Sequence, residues 1–107
     1  MIKKIIGVCA CPAGIAHTYL AAESLEKAAK AAGLECKIET DGAGGIENEL
    51  TKKDIKNADA VIVAADTVVE MDRFIGKPLM EISVSEAVRN GEKVIKKLLN
   101  EELEIYE

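Results

Sequence analysis

Aromatic side chains are almost missing from this 107-residue chain, which has no Trp, two Tyr and one Phe. A flavin site, which favours aromatic stacking, would have only Tyr19, Phe74 and Tyr106 to draw on. No apolar run approaches the roughly 18–20 residues of a membrane span. The longest candidate, residues 58–65, is interrupted by Asp59 and has the length of a strand. A secretory signal pattern is also lacking, because Lys3-Lys4 runs straight into strand-like Ile5-Ile6-Gly7-Val8. The expected location is the cytoplasm, with no membrane-spanning segment. Basic charge is not in excess: 14 Lys and Arg face 19 Asp and Glu, a net charge of −5. That balance argues against nucleic acid as a partner, since phosphate-backbone binding draws on clustered cations. The pairs Lys3-Lys4, Lys52-Lys53 and Lys96-Lys97 read as solvated faces. Three cysteines form no even disulfide set, so free thiols are expected, with Cys36 as a core filler.

What is present is an alternation of strand and helix signals. Residues 3–9 form a β-branched apolar run, closed by Pro12 and Gly14. Residues 15–32 follow helical spacing through Ile15, Tyr19, Ala22, Leu25, Ala29 and Ala32, and Gly33 supplies the stop. Residues 34–40 alternate as a second strand, with Leu34, Cys36 and Ile38 on one face, and the Gly-rich stretch 41–45 reads as a loop. Thr51 and Asp54 have the spacing of a capping box for a short helix ending near Asn57. An apolar strand is expected at 60–65, one helical turn at 69–74 and a brief strand at 79–82. Ser83 or Ser85 then caps a last helix, broken at Asn90-Gly91 and resumed through Leu99.

This order predicts one α/β domain over residues 1–100, followed by an acidic tail, 101–107, that is frayed or loosely docked. Right-handed crossovers give an open, Rossmann-like, four-stranded parallel sheet of order 2-1-3-4 with helices on both faces. Its functional edge is the carboxyl end of the strands, at the switch point of the strand order.

Cys11 falls at that edge. The turn that follows it, Pro12-Ala13-Gly14-Ile15-Ala16-His17-Thr18, leads from strand to helix. Backbone N–H groups at such a turn lack partners inside the helix, favour thiolate over thiol and bind anions. One loop is therefore suited to activate a nucleophile and then to hold the oxygens of its phosphoryl adduct. His17, the only histidine, is open to two readings: a donor to a phosphoryl oxygen or to the thiol, or a solvent-facing or capping residue. Cys9 points the same way as Cys11, and a disulfide between them would be strained.

Residues 11–18 with Ala21-Ala22-Glu23 resemble the active-site segment of the fructose-specific (or fructose-like) enzyme IIB component of the bacterial phosphoenolpyruvate-dependent sugar phosphotransferase system. Collinear matches continue through Glu39-Thr40, Gly42, residues 45–51, Ala64-Ala65-Asp66, Arg73-Phe74 and Gly76-Lys77-Pro78. The resemblance implies a phosphotransferase in which Cys11 takes a phosphoryl group from a phosphohistidine of a IIA component. It would pass the group to a sugar held by the membrane component IIC, with which the chain would associate. No metal or cofactor of its own is implied. Ala13 stands where the family usually has Thr, Asp41 where it often has Gln, and Cys9 where Thr is common.

Supporting roles at the same edge are open for Asp41 and Gly42, since residues 41–45 read either as a second anion cradle or as a plain flexible turn, for Asp66, as a cap of the following turn or a shaper of the Cys11 loop, and for Arg73. Arg73 is expected either to meet the phosphoryl donor or to pair with Glu70 or Asp72. Glu47-Asn48-Glu49 reads as a partner-facing or capping cluster. Two other readings compete. A low-molecular-weight phosphatase needs arginine six residues after its cysteine, where His17 stands. A receiver-like or flavin-binding regulatory module of the same fold needs an acidic pair after strand 1 or more aromatic residues.

Overall fold

The computed structural model describes residues 2–11, 15–42, 45–100 and 103–107. Strand β1 (Lys4–Ala10) lies at the centre of the sheet, with Ile5, Ile6, Val8, Cys9 and Ala10 fully buried. Side chains alternate along a strand, so a run without polar residues requires cover on both faces. Gly7 is the exception in size. A Cβ there would lie 2.8 Å from Ile38 Cδ1 and 2.8 Å from the Ile62 carbonyl oxygen.

Helix α1 (Ile15–Ala31) buries Thr18, Ala21, Ala22, Leu25, Ala28 and Ala29. The stripe is displaced from the expected one: Tyr19 and Ala32 face outward, and small residues carry most of the contact. Gly33 (φ 78°) closes the helix, with Leu34 N–H donating to Ala29 O (2.9 Å) and Gly33 N–H to Lys30 O (3.0 Å). This pair of bonds is a Schellman cap.

β2 (Glu35–Gly42) pairs parallel with β1, then turns back as β3 (Gly45–Glu47), which pairs antiparallel with β2. Helix α2 (Lys52–Asn57) opens with both arms of the Thr51–Asp54 capping box. β4 (Ala60–Ala65) runs parallel to β1 on its other side. A single 3-10 turn, Asp72–Phe74, precedes β5 (Leu79–Ile82). Helix α3 (Val84–Asn100) starts at Ser83, whose Oγ accepts from Glu86 N–H at 3.1 Å. It kinks at Asn90 (φ −128°, ψ 34°).

The sheet order is β3-β2-β1-β4-β5. Its four parallel strands reproduce the expected 2-1-3-4 order, and the fifth strand corrects the expectation of a purely parallel sheet. Of the stretch read as a loop, Asp41 and Gly42 belong to β2 and Gly45 to β3, with Gly42 paired opposite Gly45; residues 43 and 44 lie outside the described residues. β3 is exposed throughout and has no apolar alternation to betray it.

Helices α1 and α3 cover one face over Ile5, Cys9, Ile38, Ile62, Val94, Ile95 and Leu98. The opposite face gathers Ile6, Val8, Leu50, Val61, Val63 and Phe74, with Ile55 of α2 packed against them. In the expected tail, Glu101 and Glu102 lie outside the described residues, whereas 103–107 are docked. Leu79 N–H donates to Glu104 O (3.0 Å), Gly76 N–H to Tyr106 O (2.8 Å) and Tyr106 N–H to Lys77 O (3.0 Å). Among the described residues no helix is long and apolar enough to cross a membrane.

Candidate active site

Strand β1 ends at Ala10, opposite Asp41 of β2 on one side and Ala65 of β4 on the other. Cys11 is the next residue, partly buried against the core under α1 and α3. It therefore emerges at the carboxyl edge where the chain crosses to β2 on one side and to β4 on the other, the place where open α/β sheets bind ligands. Pro12, Ala13 and Gly14 of the expected phosphoryl-binding loop lie outside the described residues. Ile15 and Ala16 open α1, His17 is exposed in its first turn, and Thr18 is buried.

Beside Cys11 lies a cleft of about 450 Å³ lined by Cys11, His17, Leu20, Asp66, Val84, Ser85, Val88 and Arg89. It is walled by the first turns of α1 and α3 and by the end of β4. Asp66 is tied in twice: its N–H donates to Ala10 O (3.0 Å), and its Oδ1 accepts from Val84 N–H (3.3 Å). It thus caps the distant helix α3 instead of the turn that follows it in sequence. The same bonds fix the distance between the Cys11 strand and α3.

The other expected supporting residues gather elsewhere. Arg73 forms a two-pronged pair with Glu39, Nη1 to Oε1 at 2.7 Å and Nη2 to Oε2 at 2.8 Å, while its Nε donates to the Glu70 carbonyl at 2.9 Å. Neither the Glu70 carboxylate nor Asp72 is its partner. Glu39 is wholly buried and also accepts from Leu50 N–H at 3.0 Å. Burial works to raise its carboxyl, but the hydrogen bonds and charge of Arg73 outweigh this and hold it below the usual range. Asp41 follows Glu39 by two residues and shares its face of the sheet. Its Oδ1 is buried with no hydrogen-bond partner among the described residues. Burial first, and the neighbouring Glu39 second, push its carboxyl up to about 7. Gly42 ends β2 in the hairpin, and Asp41, Gly42 and Arg73 are not among the cleft's lining residues.

The remaining cysteines differ from Cys11. Cys9 is fully buried, and burial pushes both Cys9 and Cys36 up to about 12. All three thiols are free. In the Glu47-Asn48-Glu49 cluster, the Tyr19 hydroxyl donates to Glu47, tying α1 to the hairpin. Asn48 (φ 55°) donates from Nδ2 to Ile38 O at 3.1 Å.

The model of the PTS system lactose/cellobiose-specific IIB subunit family matches residues 6–97, most of the chain. The chain belongs to the phosphotransferase-system IIB family. Among its IIB relatives, the fructose-like EIIB component 2 of Escherichia coli (strain K12) is 49% identical over 98 residues, covering 91% of this chain and 92% of that protein. The fructose-specific EIIABC component of Bacillus subtilis (strain 168) is 46% identical over 104 residues, 97% of this chain. The chain spans only 16% of that longer protein. A solved domain of the fructose-specific IIABC component from Borrelia burgdorferi superposes with a TM-score of 0.92 at 42% identity, covering 99% of this chain and 100% of that one. The family description names lactose and cellobiose, while these relatives carry fructose names.

Of the IIB cleft's lining residues, Leu20, Val84, Ser85, Val88 and Arg89 were not among the expected site residues, and the last four lie on α3. Their signal was the i,i+4 spacing of Ser85 and Arg89, with Val84 and Val88 beside them, on a helix that begins at the active edge.

Proposed function

We propose that Cys11 accepts a phosphoryl group from a phosphohistidine of a IIA component and passes it to a sugar held by a membrane IIC component. The sugar class is fructose or fructose-like, following the names of the relatives. The observation that carries the reading is the position of Cys11. Cys11 is partly exposed, as is Cys36, but it alone of the three cysteines follows the central strand and opens on the cleft with His17, Ser85 and Arg89.

In the first transfer the sulfur electron pair forms an S–P bond while the N–P bond breaks. The freed pair stays on the donor imidazole, which takes up a proton from the thiol or, where the thiol was already ionised, from solvent. In the second, a sugar hydroxyl oxygen forms an O–P bond as S–P breaks, and the hydroxyl proton leaves to solvent. Both are in-line displacements in which positioning and fixed donors do most of the work. The expected phosphoryl-binding segment, residues 12–18, would supply the backbone N–H groups that follow Pro12, which itself has none, to the phosphoryl oxygens. The protein would work at the cytoplasmic side of the membrane through its IIC partner.

Incubation with phosphorylated IIA should label the chain once, on sulfur. Phosphocysteine and phosphohistidine differ in lability to acid and to iodine, and mass spectrometry locates the label. A Cys11→Ser protein that still accepts the group would end the assignment. Rapid hydrolysis of a generic aryl phosphate would favour a phosphatase instead.

A further inference from the structure

The chain has two arginines, and the structure treats them in opposite ways. Arg73 is spent on the buried Glu39 carboxylate. Arg89 is exposed, makes no ion pair among the described residues, and lines the cleft that contains Cys11. The other charged lining residue is Asp66, whose Oδ1 is engaged by the Val84 N–H. Helix periodicity stacks Arg89 on Ser85 and Val88 on Val84, so the first two turns of α3 present one continuous stripe to the cleft.

The kink fixes how far that stripe extends. Asn90 leaves helical geometry immediately after Arg89, and Gly91 then packs against Ser24 of α1 so closely that a Cβ would fall 2.3 Å from Ser24 Oγ. Beyond it the helix turns Val94, Ile95 and Leu98 into the core. Val84 and Ala87 before the break are buried in the same core, so the break ends the cleft-lining stripe at Arg89 while the core face of α3 continues past it. A phosphoryl group carries close to two negative charges, and it must enter a chain of net charge −5. A guanidinium at the cleft wall matches oxyanion geometry, and its charge is independent of pH in the working range.

We infer that Arg89 is a further anion-recognising residue of the Cys11 cleft, contacting the oxygens of the group that is transferred onto and off the sulfur. The inference deepens the phosphotransfer reading and rests on it, but its anion recognition can be read without any partner protein.

The test alkylates Cys11 in the full-length chain with iodoacetate and with iodoacetamide, reagents alike in chemistry but differing by one negative charge. Peptide mass spectrometry restricts the readout to Cys11. In Arg89→Gln, the ratio of the iodoacetate rate to the iodoacetamide rate should fall by roughly three- to fivefold, the effect of one unit charge about 4 Å away in a wet cleft. Arg89→Lys should recover most of that ratio. A change in the thiolate fraction or exposure of Cys11 alters both rates alike and cancels in the ratio, so a merely structural role for Arg89 would leave the ratio unmoved. Transfer from phosphorylated IIA should slow in Arg89→Gln by at least the same factor. An unchanged alkylation ratio overturns the inference. If transfer slows while the ratio stays constant, Arg89 meets the donor protein and not the anion, and the inference also fails. A parent protein that shows the ratio effect but takes no phosphoryl group on Cys11 overturns the phosphotransfer reading while leaving anion recognition at Arg89 standing.

Discussion

Arg73 reaches across 34 positions of sequence to hold both carboxylate oxygens of Glu39, a residue with no solvent exposure, at 2.7 and 2.8 Å. The pair joins the 3-10 turn to β2 on the face of the sheet away from the Cys11 cleft. The guanidinium also stacks 4.8 Å above the Phe74 ring, so the turn is fixed by charge and by apolar packing together. Glu39 bonds Leu50 N–H as well, which draws the segment before α2 into the same knot.

Removing the cation should therefore be costly. Arg73→Met leaves a buried carboxylate without its counter-charge and is expected to lose about 3 kcal/mol of stability, measured by urea unfolding at pH 7. Because the folded-state carboxyl of Glu39 lies below its ordinary value, the pair's contribution is present above the ordinary carboxylate range and disappears as pH falls through it. The gap between parent and variant should be widest at neutral pH and close below about pH 4. A gap that stays constant with pH would show that packing, and not charge, is what Arg73 supplies.

Asp41 behaves in the opposite sense. Its folded-state carboxyl is pushed up to about 7, against about 3.9 for an unfolded aspartate. A raised value means that the folded state holds the proton more tightly. The stabilisation is complete below about pH 4 and is lost as pH rises to 7. Asp41→Asn keeps a neutral side chain of the same shape, so its urea midpoint should exceed that of the parent at pH 8 and match it near pH 4. A parallel pH profile for the two proteins would count against a raised carboxyl at this site.

How much of this was legible in the sequence depended on the distance between cause and effect. Local signals carried far: the capping box at Thr51, the helix stop at Gly33 and the break at Asn90-Gly91 each operate within a few residues. The parallel strand order was readable because apolar runs alternate with helices. The β3 hairpin was not, since three exposed residues after a Gly-rich stretch have no buried face to impose a period. The position of Cys11 could be inferred from the strand-to-helix change, but its cleft could not. Arg89 and Ser85 arrive from a helix about 75 residues later, whose start is tied to this edge by the bond from Val84 N–H to Asp66. The ion-pair partner of Arg73 was hidden for the same reason: Glu70 and Asp72 stand beside it in sequence, while Glu39 lies 34 residues away.

Thiol reactivity should separate the three cysteines cleanly. Burial pushes Cys9 and Cys36 up to about 12, leaving both protonated at pH 7.5. The thiolate is the reacting form. Iodoacetamide at that pH should modify the folded chain once, at Cys11, and Cys11→Ser should react at least tenfold more slowly. Adding denaturant removes the burial of Cys9 and Cys36, and all three sites of the parent should then be labelled. Early modification of Cys36 in the folded protein would show that its strand opens before the rest of the sheet.

The contact between Gly91 and Ser24 gives the sharpest test of how α3 is seated. A Cβ at position 91 would meet Ser24 Oγ at 2.3 Å and the Ser24 carbonyl oxygen at 2.9 Å. The hydroxyl can rotate away, but the carbonyl belongs to α1 and cannot move without shifting that helix. Gly91→Ala should therefore cost about 1–3 kcal/mol, in the range of overpacked cores. Adding Ser24→Ala should restore only part of this, because the backbone clash remains. The same strain should reach the cleft, since Arg89 lies two residues before Gly91. Displacement of that turn would lower the iodoacetate-to-iodoacetamide ratio at Cys11 along with stability. Full rescue by Ser24→Ala would mean that the side chain alone sets the spacing of the two helices, and that the backbone approach is looser than 2.9 Å implies.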